Sequence, residues 1–345
     1  VARHEIIALC GGVGGAKLAD GLQQALPPGA LTIIVNTGDD FVHRGLPICP
    51  DLDTVLYTLA GVANAEQGWG RARETWRVQA EWQELGIETW FQLGDRDIAL
   101  HLYRRDLASR GMTLTQITGE LTRRFQVTTE LLPMCDQPAP TTVSTELGDL
   151  PFQEYFVKHR CVPAVRAFGY GAEREGTVPE EIRTAFASAA LEGIILCPSN
   201  PYLSIAPILA VPGMRELLAH ANVPVIGVSP LIGGAAVKGP AAKIMNELDL
   251  PVSALQIARQ YREFLDVMLI DEGDRGLIAE RLPGDPGIET APILMKSSAD
   301  RRKLADACLA ALSRRRAAGA AIGSSVEGSS VEGSSVEGSS VEGSS

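Results

Sequence analysis

The sequence predicts an α/β protein with a doubly wound, mostly parallel, Rossmann-like sheet and a helix-rich insertion. Three observations carry this. Short runs at 6–9, 31–35, 193–197 and 224–228 are almost wholly apolar, with Thr32 the one polar residue, as strands buried on both faces are. Stretches of helical period separate them, giving the βα alternation of a parallel sheet. The runs end in turns rich in Gly, Asp, Asn or Pro, at the strand ends where open parallel sheets bind ligands.

The first run leads into Cys10-Gly11-Gly12-Val13-Gly14-Gly15-Ala16-Lys17 and then a periodic segment, 18–26. That order reads strand, glycine turn, helix. Glycines let the backbone turn tightly and approach a ligand closely, and the free N–H groups of the following helix favour an anion, usually phosphate. A tight turn with no ligand is the plainer reading. Ala16 and Leu18 flank Lys17, so the hydroxyl of a Walker A loop is missing. Lys17 also stands where the dinucleotide pattern needs its third glycine. The loop therefore indicates phosphate more firmly than ATP or NAD.

The second run, 31–35, ends in Asn36-Thr37-Gly38-Asp39-Asp40, and Pro50-Asp51-Leu52-Asp53 follows as a helix starts. Asp53 is either an N-cap or a magnesium ligand, since Mg²⁺ takes one or two carboxylates plus substrate phosphates. Asp40 carries the same two readings of turn former or ligand, with Asp39 and Asp51 as further metal candidates. Residues 68–85 read as a helix bearing Trp69, Trp76 and Trp82, expected mainly in the core. Residues 88–91 read as a strand running into Leu93-Gly94-Asp95-Arg96-Asp97, where Asp95 and Arg96 are candidate ligands or caps. Thr113 and Gln116 fit a capping box. The middle third interrupts the βα rhythm and is expected to be an insertion, about 66–190. Beyond it come Pro198-Ser199-Asn200-Pro201 and Lys238-Gly239-Pro240, a helix from Ala241, strands at 265–270 and 292–295, and a last helix at about 299–312.

The chain has 345 residues and a formal net charge of −11. The acidic balance argues against nucleic acid as a partner but not against nucleotides. No apolar run approaches the roughly 18 residues of a membrane span, no signal peptide is expected, and a cytoplasmic protein is anticipated. The six cysteines form no C-x-x-C pair and the five histidines show no metal spacing. From Gly323 the unit Gly-Ser-Ser-Val-Glu repeats to the end. So little apolar surface cannot offset ordering entropy, so 323–345 is expected to be a disordered tail on a single domain, 1–322.

Taken together, the glycine loop, Asn36 to Asp40, Pro50 to Asp53, Leu93 to Asp97 and Pro198-Ser199-Asn200-Pro201 resemble the 2-phospho-L-lactate transferase family of coenzyme F-420 biosynthesis, in its bacterial branch. The resemblance covers nearly all of residues 4–315. It implies that the ribityl hydroxyl of the deazaflavin alcohol Fo attacks the acid-bearing phosphorus of a guanosine diphosphate ester, releasing GMP. The ester's acid is 2-phospholactate, phosphoenolpyruvate or 3-phosphoglycerate. Mg²⁺ and a homodimer are implied as well. Asp40 and Asp53 are the expected catalytic and metal residues. Gly11, Gly12, Val13, Gly14, Gly15, Lys17, Asn36, Asp39, Asp95, Arg96, Met134, Ser199, Asn200, Pro201 and Lys238 are the expected substrate contacts, with guanosine near Ser199, Asn200 and Lys238. One motif departs from the family's Leu-Pro-Met-Ser-Asp-Asp: here it is Leu132-Pro133-Met134-Cys135-Asp136-Gln137, which points to a different donor acid or altered Fo contacts. No Ser/His/Asp or Cys/His set stands out, which favours direct transfer. The alternative is a nucleotide-sugar-binding regulator of the related gluconeogenesis-factor family, whose members carry a Gly/Ser-rich stretch in place of these aspartates.

Overall fold

The computed structural model describes residues 5–237 and 239–327. Seven parallel strands form the central sheet: β1 Glu5–Cys10, β2 Leu31–Val35, β3 Glu130–Pro133, β4 Leu191–Leu196, β5 Val225–Val228, β6 Val267–Ile270 and β7 Gly287–Thr290. Their spatial order is β7-β6-β5-β4-β1-β2-β3. The direction of winding reverses between β1 and β4, where Leu9 pairs with Leu196. That is the switch point at which such sheets open a crevice for a ligand.

Alternate residues of each strand enter opposite cores, as the two-residue period requires. Ile7, Leu9, Ile34, Ile194 and Leu196 face one core. Ile6, Ala8, Ile33, Val35 and Ile195 face the other. Among the helices, α1 (Gly12–Ala25), α2 (Pro50–Leu59), α3 (Asp95–Ser109), α4 (Leu114–Arg124) and α5 (Ser298–Glu327) all contribute to the second core. A three-stranded antiparallel sheet, Gly148–Pro151, Thr141–Thr145 and Val165–Tyr170, sends Val143 and Val165 into the first. Thr113 and Gln116 form the capping box on α4 that their spacing predicts.

The structure departs from the sequence reading in several places. Residues 66–190 do not form one insertion, because β3 returns there and pairs with β2. The helix expected over 68–85 is confined to Arg77–Glu84. Gly68 and Gly70 adopt positive φ (73° and 69°) and turn the chain instead of continuing a helix. Residues 88–91 form no strand. The last strand lies at Gly287–Thr290 and not at 292–295, although Ile293 and Met295 are still buried. Pro292, which cannot donate to a strand ladder, falls just past it. Helix α5 extends to Glu327, inside the repeat; the rest of the expected tail lies outside the described residues. All six cysteines are free thiols. No described helix is long and apolar enough to cross a membrane.

Helices α1 and α5 cross closely at Gly21, where an added Cβ would lie 2.2 Å from the Arg301 carbonyl oxygen. Beside it Arg301 pairs with Asp20 at 2.9 Å. Gly21→Val should force these helices apart and cost ~2 kcal/mol, in the range of overpacked cores. A urea midpoint equal to wild type would show that the crossing has slack.

Candidate active site at the sheet's switch point

A cavity of ≈ 640 Å³ opens at the carboxyl edge of β1, β2 and β4. Its floor is the glycine loop. Gly12 carries φ 64°, a conformation that a side chain would strain. A Cβ on Gly14 would lie 2.5 Å from the Pro198 carbonyl oxygen, and one on Gly11 would lie 2.3 Å from Asp51 Oδ2. Ser199 locks the loop to β4: its hydroxyl accepts from Gly11 N (3.1 Å) and donates to Gly11 O (2.9 Å). Asn200 accepts from Tyr202 N and Leu203 N. Its buried Nδ2 has no partner in the protein, and the residue borders the cavity. An unpaired buried donor costs about 1–3 kcal/mol, so this amide is suited to a ligand oxygen. Lys17 also borders the cavity, and its ammonium donates to Met295 O at 3.1 Å.

Asn36 organises the acidic wall. Its Nδ2 donates to Asp39 Oδ1 (3.0 Å) and Asp51 Oδ2 (2.9 Å), and its Oδ1 accepts from Gly38 N at 2.8 Å. Burial, then the charges of Asp51 and Asp40, push the Asp39 carboxyl well above the usual range. Burial raises Asp51 to about 6 against the hydrogen bond from Asn36. Burial also raises Asp40, whose Oδ1 is buried and unpartnered. Asp39 and Asp51 border the cavity beside the glycine loop, whereas Asp40, expected from sequence to be catalytic, does not.

Asp53 borders the cavity, as the sequence leads one to expect, but its carboxylate is already paired. Both its oxygens accept from Arg104, Nη1 to Oδ2 at 3.2 Å and Nη2 to Oδ1. This fork-to-fork pair is buried on both sides. Burial alone would lower the Arg104 guanidinium, but Asp53 holds it above its ordinary value. Arg104 Nη1 also donates to His101 Nδ1 at 2.9 Å. Arginine cannot accept, so the His101 proton is assigned to Nε2. Burial lowers this imidazole to about 4, leaving it neutral. Next along the α2–α3 seam, Tyr57 donates to Asp97 Oδ1 at 2.8 Å, and burial raises Asp97 to about 7.

The remaining wall is aromatic. Trp69, Trp90, Phe91, Phe152 and Phe156 border the cavity. Phe152 stacks on Phe156 with centroids 5.3 Å apart. Trp76 meets Trp69 edge to face, and both are more than a third exposed, at 36% and 40%. These two tryptophans therefore form a rim and not core. Only Trp82 packs inward, against the Leu46–Ile48–Leu93–Ile98 cluster.

Of the substrate contacts expected from sequence, Gly11, Gly12, Val13, Gly14, Lys17, Asp39, Ser199 and Asn200 border the cavity, whereas several others do not. Gly15 packs against Ser199, and Asn36 works from behind the wall. Asp95 is committed to Thr75 Oγ1 (2.5 Å) and to the N–H groups of Arg77 and Val78. Arg96 is exposed outside the cavity. Met134 is fully buried, and Pro201 begins the π-helical segment Pro201–Ile205. Lys238 lies outside the described residues. The Cys135-Asp136-Gln137 departure is also a corner behind the site. Cys135 Sγ lies 4.0 Å from Thr37 Oγ1, Asp136 caps α4 at Thr115 N, and Gln137 accepts from Thr177 N. None of the three borders the cavity; Cys135 meets the Asn36–Asp40 loop at Thr37. Arg104, His101 and Tyr57 escaped the sequence reading. Their signal was a polar stripe at 97, 101 and 104 facing 53 and 57, all at helical spacing.

An anion site at the switch point of a doubly wound sheet is how nucleotide-handling α/β enzymes hold phosphates, and this chain is of that class. The sequence pattern of the family described as 2-phospho-L-lactate transferase CofD matches residues 6–282, and the chain belongs to that family of transferases. It is 42% identical to a phosphoenolpyruvate transferase of Streptomyces griseus, over 84% of this chain and 92% of that protein. It is 41% identical to a 2-phospho-L-lactate transferase of Methanosarcina acetivorans, over 87% and 97%. A solved UPF0052-family protein from Bacillus halodurans shares the fold at a TM-score of 0.55 and 14% identity, covering 89% of this chain and 99% of its own.

Two outcomes follow from the seam. Asp53→Asn should leave Arg104 buried and half-paired and lower unfolding free energy by roughly 3–5 kcal/mol; a wild-type melting temperature would refute the buried pair. Separately, Asp97 holds its proton more tightly folded than unfolded, as do Asp39, Asp40 and Asp51. Their stabilisation is present below the unfolded carboxylate range and lost as pH rises through the folded values. His101 and His43 have lowered values and oppose this only below about pH 6.5. The ligand-free protein should therefore melt higher at about pH 6.5 than at about pH 8, with a smaller difference in Asp97→Asn. A melting temperature that climbs toward pH 8 would contradict this.

Proposed function

We propose that the protein transfers a three-carbon phospho-acid from its guanosine diphosphate ester to the hydroxyl of Fo, releasing GMP, in coenzyme F-420 biosynthesis. The observation that supports this best is the cavity's lining. It combines the glycine loop and the unpartnered Asn200 amide, suited to phosphates, with five aromatic side chains suited to a flat heterocycle. Nucleotide-sugar regulation is the alternative, and the relatives named as transferases favour transfer over it.

The residues divide the work as follows. Loop N–H groups and the α1 N-terminus hold the diphosphate. The aromatic wall orients the acceptor and excludes water from the attacked phosphorus. The acceptor oxygen forms its bond to the acid-bearing phosphorus as the bond to the GMP oxygen breaks. The hydroxyl proton passes to an ionised carboxylate of the Asp39–Asp40–Asp51 cluster; Asp51, which burial raises only to about 6, is ionised near neutral pH and is the candidate acceptor.

Magnesium fits this cluster better than it fits Asp53. Asp39 and Asp51 share one amide donor beside the phosphate loop, and Asp40 Oδ1 is an orphan, whereas both oxygens of Asp53 belong to Arg104. Among the described residues no group of three His, Cys, Asp or Glu side chains could hold a metal ion, so Mg²⁺ here would depend on substrate phosphates and water for most of its ligands. Bound there, Mg²⁺ would neutralise phosphoryl charge.

The test is incubation with Fo, Mg²⁺ and the guanosine diphosphate esters of phosphoenolpyruvate and 2-phospholactate in parallel, measuring GMP. One ester should yield GMP and a phosphorylated deazaflavin. Asp51→Asn should lower the rate about 10²–10³-fold and raise the Mg²⁺ requirement. No GMP from either ester, or none that depends on Fo, would sink the assignment.

A further inference from the structure

The Tyr57–Asp97 pair lies outside the phosphate end of the cavity. Asp97 stands in the first turn of α3, is 7% exposed and borders the cavity. Its Oδ1 accepts from Tyr57 at 2.8 Å, and its main-chain N–H donates to Glu74 at 3.1 Å. Its Oδ2 faces the turn that carries Trp69: a Cβ on Gly70 would lie 3.5 Å from it. Asp51, at the start of the same helix as Tyr57, touches the glycine loop. Six residues of α-helix place Tyr57 roughly 9 Å farther along the axis.

We infer that Asp97, oriented by Tyr57, receives a hydroxyl of the acceptor's polyol chain and so helps select the acceptor. This rests on the transfer to a polyol alcohol proposed above.

Charge decides between acceptor and donor. Asp53 and Glu74 both add negative potential at Asp97, and the single positive charge of Arg71 opposes the two only in part. Arg104 is spent on Asp53, and Arg71 lies over the Tyr57 and Phe125 rings at 5.5 Å and 5.1 Å. A diphosphate or a carboxylate brought here would meet like charge. A neutral hydroxyl donates to a carboxylate oxygen or accepts from a carboxylic acid, so it pairs with Asp97 in either form. The tyrosine fixes one oxygen and leaves the other directed at the turn beside the aromatic wall. Tyr57 is thus the positioning residue and Asp97 the one that touches substrate.

The experiment titrates Fo, read by its own deazaflavin fluorescence, and separately GDP, into wild type, Asp97→Asn and Tyr57→Phe. Steady-state KM and kcat are measured on the same proteins. Loss of one buried charge-assisted hydrogen bond should weaken Fo about tenfold in Asp97→Asn. The KM for Fo should rise by a similar factor, with GDP affinity unchanged. Tyr57→Phe keeps the ring beneath Arg71 and should show the same selective loss to a smaller degree. Unchanged Fo affinity in both variants, or equal weakening of Fo and GDP, overturns the inference. If Asp97→Asn fails to fold, Tyr57→Phe decides: unchanged Fo affinity refutes. If wild type releases GMP with Fo while the variants bind Fo normally, this inference alone fails. If wild type does not bind Fo, the proposed acceptor fails and takes this inference with it.

Discussion

The buried pair of Asp53 and Arg104 ties α2 to α3, and the acidic side of the cavity depends on it. A single charge at either position would be costly away from water, and neither carboxylate nor guanidinium has room to relax. With both present, α2 is held at a fixed height beside the glycine loop. Asp51 is thereby pressed against Gly11, and Tyr57 is brought within reach of Asp97. His101 adds a neutral acceptor to the guanidinium and no further charge. The seam is a polar core in which the strong groups are matched in sign and number.

The glycine loop is shaped by its neighbours as much as by any ligand. Pro198 presses on Gly14, Asp51 presses on Gly11 and Ser199 bonds Gly11 twice. A loop held from three sides presents its N–H groups without paying ordering entropy when an anion arrives. The acidic wall sits against this loop with only the Asn36 amide between Asp39 and Asp51. Such a cluster stores repulsion that a cation or protons relieve: burial first, then the charges of Asp51 and Asp40, raise the Asp39 carboxyl.

Much of the fold was legible. The apolar runs at 6–9, 31–35, 193–197 and 224–228 became β1, β2, β4 and β5, because strands covered on both faces are mostly apolar. Strands β3 and β7 were not placed, although they are as long as β5 and β6. Leu131 and Leu132 supply too brief a run to stand out among helices, and Ile293 and Met295 are buried without pairing. Trp69 and Trp76 misled for a related reason: an aromatic side chain signals apolar surroundings, and a cavity rim supplies those as a core does.

By itself the sequence determined the order of strand, glycine turn and helix, the carboxyl-edge position of Asp39, Asp51, Ser199 and Asn200, and the family. These are local: each follows from neighbours in the chain and from the rule that parallel strands point their loops to one edge. Only the tertiary structure decided which carboxylates remain available. Asp40 and Asp53 look alike in sequence, yet Arg104, 51 residues from Asp53, claims one of them. Asp95 and Asp97 stand two apart on one helix, but only the second turns to the cavity. Partner choice across such distances is set by how α2 and α3 pack, which no local pattern records.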